Sequence, residues 1–278
     1  LDRPEDALKP LRLAAARAPH DRKAQRNLLS TLLRARKAEE ALAIARELRG
    51  ADPEDQYLIA IEGAALRVLG DRRHRVLYDY ERLVRAYDIE PPRGFFTIEN
   101  LNAGLADMLR RQHRVNAHPL DQAIQHGTQT GRTLLTSEDP ALKGFLAAVD
   151  EAVRDYISRL KRDISDPVGC RRTDRYRFGG LWSTRLADGG WLPNHVHDRG
   201  WISSAYFVSL MSADQPKRKQ AGWLKFGELP RATPGCEIEL AHEPRQGRLV
   251  LFPSYFWHGI IPFEGSERLS VSFDVIPG

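Results

Sequence analysis

His195 and His197 stand one residue apart, and on an extended strand residues i and i+2 project from the same face. Both imidazoles would then enter one cavity, with the β-branched Val196 turned to the opposite side. The pair offers two nitrogen donors to a single metal ion, although alone it is a weak signal. A third donor follows in His258, 61 residues after His197, just past the apolar run Gly247-Arg248-Leu249-Val250-Leu251-Phe252-Pro253. That run reads as a buried strand. Ten residues beyond His258 comes Arg268, which shares a strand face with Ser270. An arginine turned into a β-fold is costly unless an anion meets it. The planar guanidinium fork matches a carboxylate in particular. The alternative for Arg268 is a surface ion pair with Glu267 or Asp274, and Ser270 could equally be a small core residue.

These residues need a scaffold that brings distant segments together. From about residue 174 the chain becomes a series of short β-rich runs at 175–186, 192–198, 202–210, 222–228, 236–241, 247–253 and 267–276. Gly189-Gly190, Gly235, Gly247 and Gly265 punctuate them. Many short strands without intervening helices predict a sandwich or barrel and exclude a doubly wound parallel sheet. Ahead of them, residues 139–161 read as one amphipathic helix. Asp139 caps it, Pro140 occupies its first turn, and Leu142, Phe145, Leu146, Val149, Val153, Tyr156, Ile157 and Leu160 form its apolar stripe. Residues 72–115 read as helical with a break at Pro91-Pro92-Arg93-Gly94.

The amino-terminal part carries a repeat. Glu5-Asp6-Ala7-Leu8 and Glu39-Glu40-Ala41-Leu42 lie 34 residues apart, as do Pro19 and Pro53. Leu28, Leu29, Leu32 and Leu33 recur at helical spacing, and so do Leu58, Ile59, Ala60, Gly63, Ala64 and Leu66. Over residues 1 to about 70 this resembles a tetratricopeptide array, with Ala41 and Pro53 at two signature positions. Gln25 and Leu32 stand where Trp and Tyr are usual. The first repeat lacks its leading helix, so the array is expected to continue upstream of Leu1. The resemblance implies either a surface for a peptide or protein substrate or a helical brace for the second domain. The expected division is 1–90 for the repeats and 91–278 for the second domain, whose β core covers about 174–278.

Composition narrows the classes. The chain has 278 residues, of which 42% are hydrophobic and 28% charged, the balance of an ordinary globular protein. Its formal net charge of +5 is thinly spread, with 22 Lys+Arg against 18 Asp+Glu in 1–118 and 20 against 19 in 119–278. Phosphate binding needs concentrated positive charge, so no nucleic-acid partner is expected. No apolar run nears the roughly 20 residues of a membrane span. Two cysteines, Cys170 and Cys236, are too few for a disulfide framework, and a cytoplasmic location is expected.

The spacing of a His pair, a distal His and an Arg-x-Ser about ten residues later resembles that of the Fe(II)/2-oxoglutarate oxygenases. Pro119-Leu120-Asp121-Gln122, Gly127-Thr128-Gln129-Thr130, Asn194-His195-Val196-His197, Gly200 through Tyr206 and Gly247 through His258 are similar to bacterial members often fused to tetratricopeptide repeats. The resemblance implies an α+β chain, in which tetratricopeptide-like α-helical repeats precede a double-stranded β-helix (jelly roll) with supporting helices. It further implies an enzyme, a dioxygenase hydroxylating a C–H bond of a peptide, protein or small molecule, with Fe(II) on His195, His197 and His258. The 2-oxoglutarate cosubstrate would lie on Arg268 and Ser270. Most such enzymes carry a carboxylate where this chain has His197, which leaves Asp198 as the competing ligand. Phe207 stands where a Tyr often hydrogen-bonds the cosubstrate, so that contact is expected either to be missing or to be replaced by Ser203 or a bound water. Two other functions compete: a three-histidine metal dioxygenase without 2-oxoglutarate, and an inactive repeat-plus-barrel interaction protein. His113, His118, His126 and His242 are expected to bind no metal, and Trp201, Trp223 and Trp257 to be core aromatics.

Overall fold

The computed structural model describes residues 3–113, 124–131, 134–214 and 217–278. It opens with two helical hairpins, α1 (Pro4–Arg17) with α2 (Arg22–Arg34) and α3 (Ala38–Ala51) with α4 (Gln56–Val68). Pro19 and Pro53 lie just past α1 and α3, where a ring without an N–H stops the helix. Asp21 and Asp55 then start α2 and α4 by accepting the amides two and three residues on. Leu29, Leu32, Leu33, Ala41 and Ala45 are completely buried, the two alanines on the face of α3 turned inward.

After two short helices, α5 (Arg73–Leu77) and α6 (Tyr80–Leu83), the structure departs from the helical expectation for 72–115. Strand β1 (Arg85–Asp88) pairs antiparallel with β7 (Arg248–Pro253). Four residues are too few to show a strand period, and their partners lie 160 to 166 positions away. Helix α7 (Ile98–Gln112) follows the Pro91–Gly94 break, and α8 (Pro140–Arg159) starts from the Asp139 cap as expected.

The sheet contains β2 (Gln125–Gln129), β3 (Tyr176–His195), β4 (Ile202–Ser212), β5 (Leu224–Phe226), β6 (Leu240–His242), β7, β8 (His258–Ile260) and β9 (Gly265–Pro277) besides β1. The runs expected at 175–186 and 192–198 form one long strand, β3, whose pairing shifts near Gly189-Gly190. Its first half pairs with β9 and its second half with β8. The strand therefore bends from one layer into another. The order is β1-β7-β4-β9-β3-β8-β5-β6, with β2 on the free side of β3 and every pairing antiparallel.

Strand β9 shows how the sequence sorts the two faces. Leu269, Val271, Phe273 and Val275 are fully buried. Phe273 lies 6.3 Å (ring centroids) from Phe145 of α8, so this face is the one against the helices. Tyr206 of β4 also faces them, 4.8 Å from Phe145 and bonded at 2.7 Å to Asn102 of α7. Period-two alternation turns Arg268, Ser270, Ser272 and Asp274 to the opposite, concave face.

Candidate metal and carboxylate site

His195 ends β3 and stands directly across the ladder from His258, the first residue of β8. Their rings lie 4.3 Å apart between centroids, and the His197 ring is 5.1 Å from the first and 5.0 Å from the second. All three offer a ligand atom within 4.8 Å of one another. Pairing across a ladder explains how a residue 61 positions downstream returns to the first pair.

Hydrogen bonding selects the tautomers. His195 Nδ1 is 2.9 Å from the Pro193 carbonyl and His258 Nδ1 is 2.8 Å from the Phe256 carbonyl. A carbonyl only accepts, so both Nδ1 atoms carry the proton. His197 Nδ1 meets the Asp274 carboxylate, which Ser203 Oγ also supports at 2.8 Å. The Nε2 atoms are thereby left with free lone pairs, and those of His195 and His197 lie 3.2 Å apart. Two nitrogens at roughly 2.1 Å from one ion and about 90–100° apart would have nearly that separation. Burial, reinforced by the neighbouring His197, pushes the His195 pKa down to about 4. Burial, together with His195 and His197, drives that of His258 well below the usual value. Neutral rings are the form that binds a metal, and the donor set fits a divalent ion.

Asp198 points elsewhere. Its carboxylate lies 2.7 Å from Arg26 Nη2 on α2, so of the two competing residues it is His197 that joins His195 and His258.

Arg268 is 1% exposed, and among the described residues it has no carboxylate partner. Among those residues its one hydrogen bond is a long 3.4 Å contact from Nη1 to Ser270 Oγ, and its Nε has none. The two alternative partners are taken. Glu267 binds Arg110 at 2.6 Å and Arg185 at 2.8 Å, and Asp274 supports His197. Burial alone pushes the guanidinium pKa down to about 9. The Phe207 ring, 5.1 Å from Cζ, supplies the nearest compensation. A buried cation with unused donors fits a carboxylate ligand. The histidines, Arg268 and Ser270 line one cavity, joined by Trp182, Thr184 and Ser272.

Ser203 Oγ donates to Asp274 at 2.8 Å and lies 2.9 Å from Ser254 Oγ and 3.0 Å from His197 Nδ1, so it braces a histidine. Sequence reasoning missed Asp274 in this role, although 268, 270, 272 and 274 share a strand face by simple alternation. Thr184 and Trp182 were missed as well. Thr184 lies opposite Ser270, and the Trp182 ring is 5.3 Å from His197.

The remaining candidates have other duties. Asn194 donates to Glu228 at 2.9 Å and to the Leu229 carbonyl at 3.1 Å. His113 is buried between Thr128 and Ser183 hydroxyls, and Thr130 exchanges bonds with the Ser183 backbone. His126 is exposed on β2, and His242 lies on β6 with Nδ1 3.1 Å from the Glu243 carbonyl. Trp201 and Trp257 are buried and Trp223 is half-buried. His118 and the string Pro119-Leu120-Asp121-Gln122 lie outside the described residues.

The segment that carries every residue of this site can be compared with known families. Residues 180–274 match the family model described as "Putative 2OG-Fe(II) oxygenase". The 2OG-Fe(II) oxygenase match includes all three histidines, Arg268 and Asp274. Among solved structures the chain is similar to a prolyl-4-hydroxylase from Pseudomonas putida, with 19% identity over 73% of this chain and 97% of that one and a TM-score of 0.48. It is also similar to a Trichoplax adhaerens prolyl hydroxylase in complex with a hypoxia inducible factor peptide fragment (13% identity, 73% and 87%, TM-score 0.47). A third is the viral collagen prolyl hydroxylase of Paramecium Bursaria Chlorella virus-1 (12%, 69% and 95%, TM-score 0.43). No curated protein matches the sequence.

Proposed function

We propose that the protein is an Fe(II)- and 2-oxoglutarate-dependent dioxygenase that hydroxylates a C–H bond of a peptide, protein or small-molecule substrate, releasing succinate and CO2. The observation that carries this reading is the pairing, in one cavity, of three Nε2 lone pairs with a buried guanidinium that lacks an anion. His195, His197 and His258 would hold the metal, and Arg268, with Ser270, would hold the distal carboxylate of the cosubstrate. Dioxygen is the oxidant: with the metal and 2-oxoglutarate bound, one of its oxygen atoms would go to succinate as the cosubstrate loses CO2 and the other to the substrate C–H bond. The chain's own residues orient and protect. Pro193, Phe256 and Asp274 fix the ring tautomers. Trp182, Leu192, Leu224 and Ile260 give the cavity its apolar wall. A metal dioxygenase that dispenses with 2-oxoglutarate would leave Arg268 buried at a cost with nothing to bind.

The strand order supports a double-stranded β-helix. The first half of β3, with β9, β4 and β7, forms one sheet, and its second half, with β8, β5 and β6, forms the other. The chain alternates between the two layers, as closure of such a roll requires. The paired helices with their 34-residue spacing support tetratricopeptide-like repeats over 1–90, ahead of the oxygenase domain at 91–278, and with them a peptide or protein substrate. The test is succinate formation from 2-oxoglutarate with Fe(II), comparing wild type with His258→Ala and Arg268→Ala. Turnover by wild type that both substitutions abolish is expected. No turnover by wild type, with or without cell extract as a substrate source, contradicts the reading.

A further inference from the structure

We infer that Arg26 and Tyr57, on the amino-terminal helices, are positioning residues for the metal site, gripping both loops that carry its ligands. The inference rests on the metal reading of the three histidines.

The first loop follows His197. Its Asp198 carboxylate is 2.7 Å from Arg26 Nη2, and its Asp198 carbonyl accepts from Gln56 N at 3.3 Å. Gln56 is the first residue of α4, whose leading amides have no partner within the helix. The loop thus supplies an acceptor that the helix start needs. Arg199 reaches Asp52 at 3.2 Å, and Arg171 holds the Gly200 carbonyl at 2.7 Å.

The second loop precedes His258. Its Trp257 packs edge-on against Tyr57, with ring centroids 5.6 Å apart, and its indole N–H reaches the Ala60 carbonyl at 3.4 Å. Arg26 closes the arrangement, because its guanidinium also lies 4.5 Å from the centre of the Tyr57 ring, and the Tyr57 hydroxyl donates to the Arg26 carbonyl at 3.2 Å. One guanidinium therefore touches the neighbour of His197 directly and the neighbour of His258 through a single ring.

The pair of Arg26 with Asp198 is partly solvated on both sides and contributes little to stability. It acts by closeness of charge and not by a directed hydrogen bond, and it bears on His197 through the backbone that joins Asp198 to that ligand. Partners that orient a ligand change metal affinity by roughly 10–100-fold, and one step further out a loss of about 3–10-fold is expected.

The experiment titrates Co(II) into the full metal-free chain, following its visible absorption, and records the melting temperature without metal. Arg26→Ala is compared with Arg26→Lys, Tyr57→Leu, Asp198→Ala and the pair Arg26→Ala/Asp198→Ala. Arg12→Ala, which breaks an exposed pair with Glu40 elsewhere on the helices, is the control. Arg26→Ala and Tyr57→Leu should weaken Co(II) binding about 3–10-fold while Arg12→Ala does not. Arg26→Lys should recover part of the loss, and the double variant should lose less than the sum of its singles. Unchanged affinity in Arg26→Ala and Tyr57→Leu, with wild type binding one Co(II), overturns the inference and leaves the metal site standing. Absence of Co(II) binding by wild type overturns the metal reading itself.

Discussion

Replacing Arg268 by Met keeps the unbranched stem out to the position of Nε and removes a charge that no carboxylate among the described residues answers. Lowering the guanidinium pKa from 12.5 to about 9 corresponds, at ~1.4 kcal/mol per tenfold change in proton affinity, to about 5 kcal/mol of unfavourable burial. The Phe207 ring at 5.1 Å returns about 1–2 kcal/mol. The ligand-free protein should therefore gain on the order of 3 kcal/mol from the substitution, in line with other buried charges exchanged for apolar groups. For a chain of this size that is a rise of several degrees in melting temperature. The ligand response should invert. Losing a desolvated charge pair costs roughly 2–5 kcal/mol of affinity, so 2-oxoglutarate should bind about 30-fold to several thousand-fold more weakly. Thermal unfolding of the Mn(II)-loaded protein, with and without 2-oxoglutarate, reads both effects. Wild type should start lower and climb with cosubstrate, and Arg268→Met should start higher and stay level. A ligand-free variant less stable than wild type, or one that climbs as far with 2-oxoglutarate, refutes the reasoning.

Asp274→Asn removes the carboxylate that fixes His197, and Co(II) titration should show a loss of about 10–100-fold with the fold retained by circular dichroism. Stability of the metal-free protein should depend on pH through His195 and His113, each held down to about 4 by burial, aided by His197 and Arg185 respectively. Their unfolded values lie near 6.5, so the unfolded chain binds more protons in between. Stability is then full above about pH 6.5 and falls toward pH 4. His113→Gln should flatten that slope in a melting series, and an unchanged slope contradicts the assignment. A Cβ at Gly259 would stand 2.3 Å from Asn194 Oδ1 and 2.8 Å from the Leu192 carbonyl. Gly259→Ala should therefore push β8 off β3, separate His258 from His195, and cost both Co(II) affinity and melting temperature.

The sequence exposed those parts of the site governed by short-range periodicity. The His195–Val196–His197 spacing and the Arg268–Ser270 alternation each needed only the two-residue period of a strand. The 34-residue recurrence and the two prolines marked the hairpins α1–α2 and α3–α4, because each hairpin is built from residues adjacent in the chain. Long-range pairing was not legible. Strand β1 is four residues whose partner lies far downstream, and β8 is three residues that only its ladders with β3 and β5 define. The single strand from Tyr176 to His195 looked like two, because Gly189-Gly190 at its bend also reads as a turn. Asp274 was readable by alternation from Arg268, yet only the folded position of His197 gives it a role. Ser203 shows the converse. Its place in the sequence suggested the cosubstrate, and only the fold shows its hydroxyl joined to Asp274 and His197.

The most direct measurement is X-ray absorption fine structure of the Fe(II)-loaded protein. Three imidazole rings around one iron, reduced to two in His197→Ala and unchanged in Asp198→Ala, are expected. Iron bound through a carboxylate of Asp198, or to fewer than three rings in wild type, would contradict the shared ion on which the proposed chemistry depends.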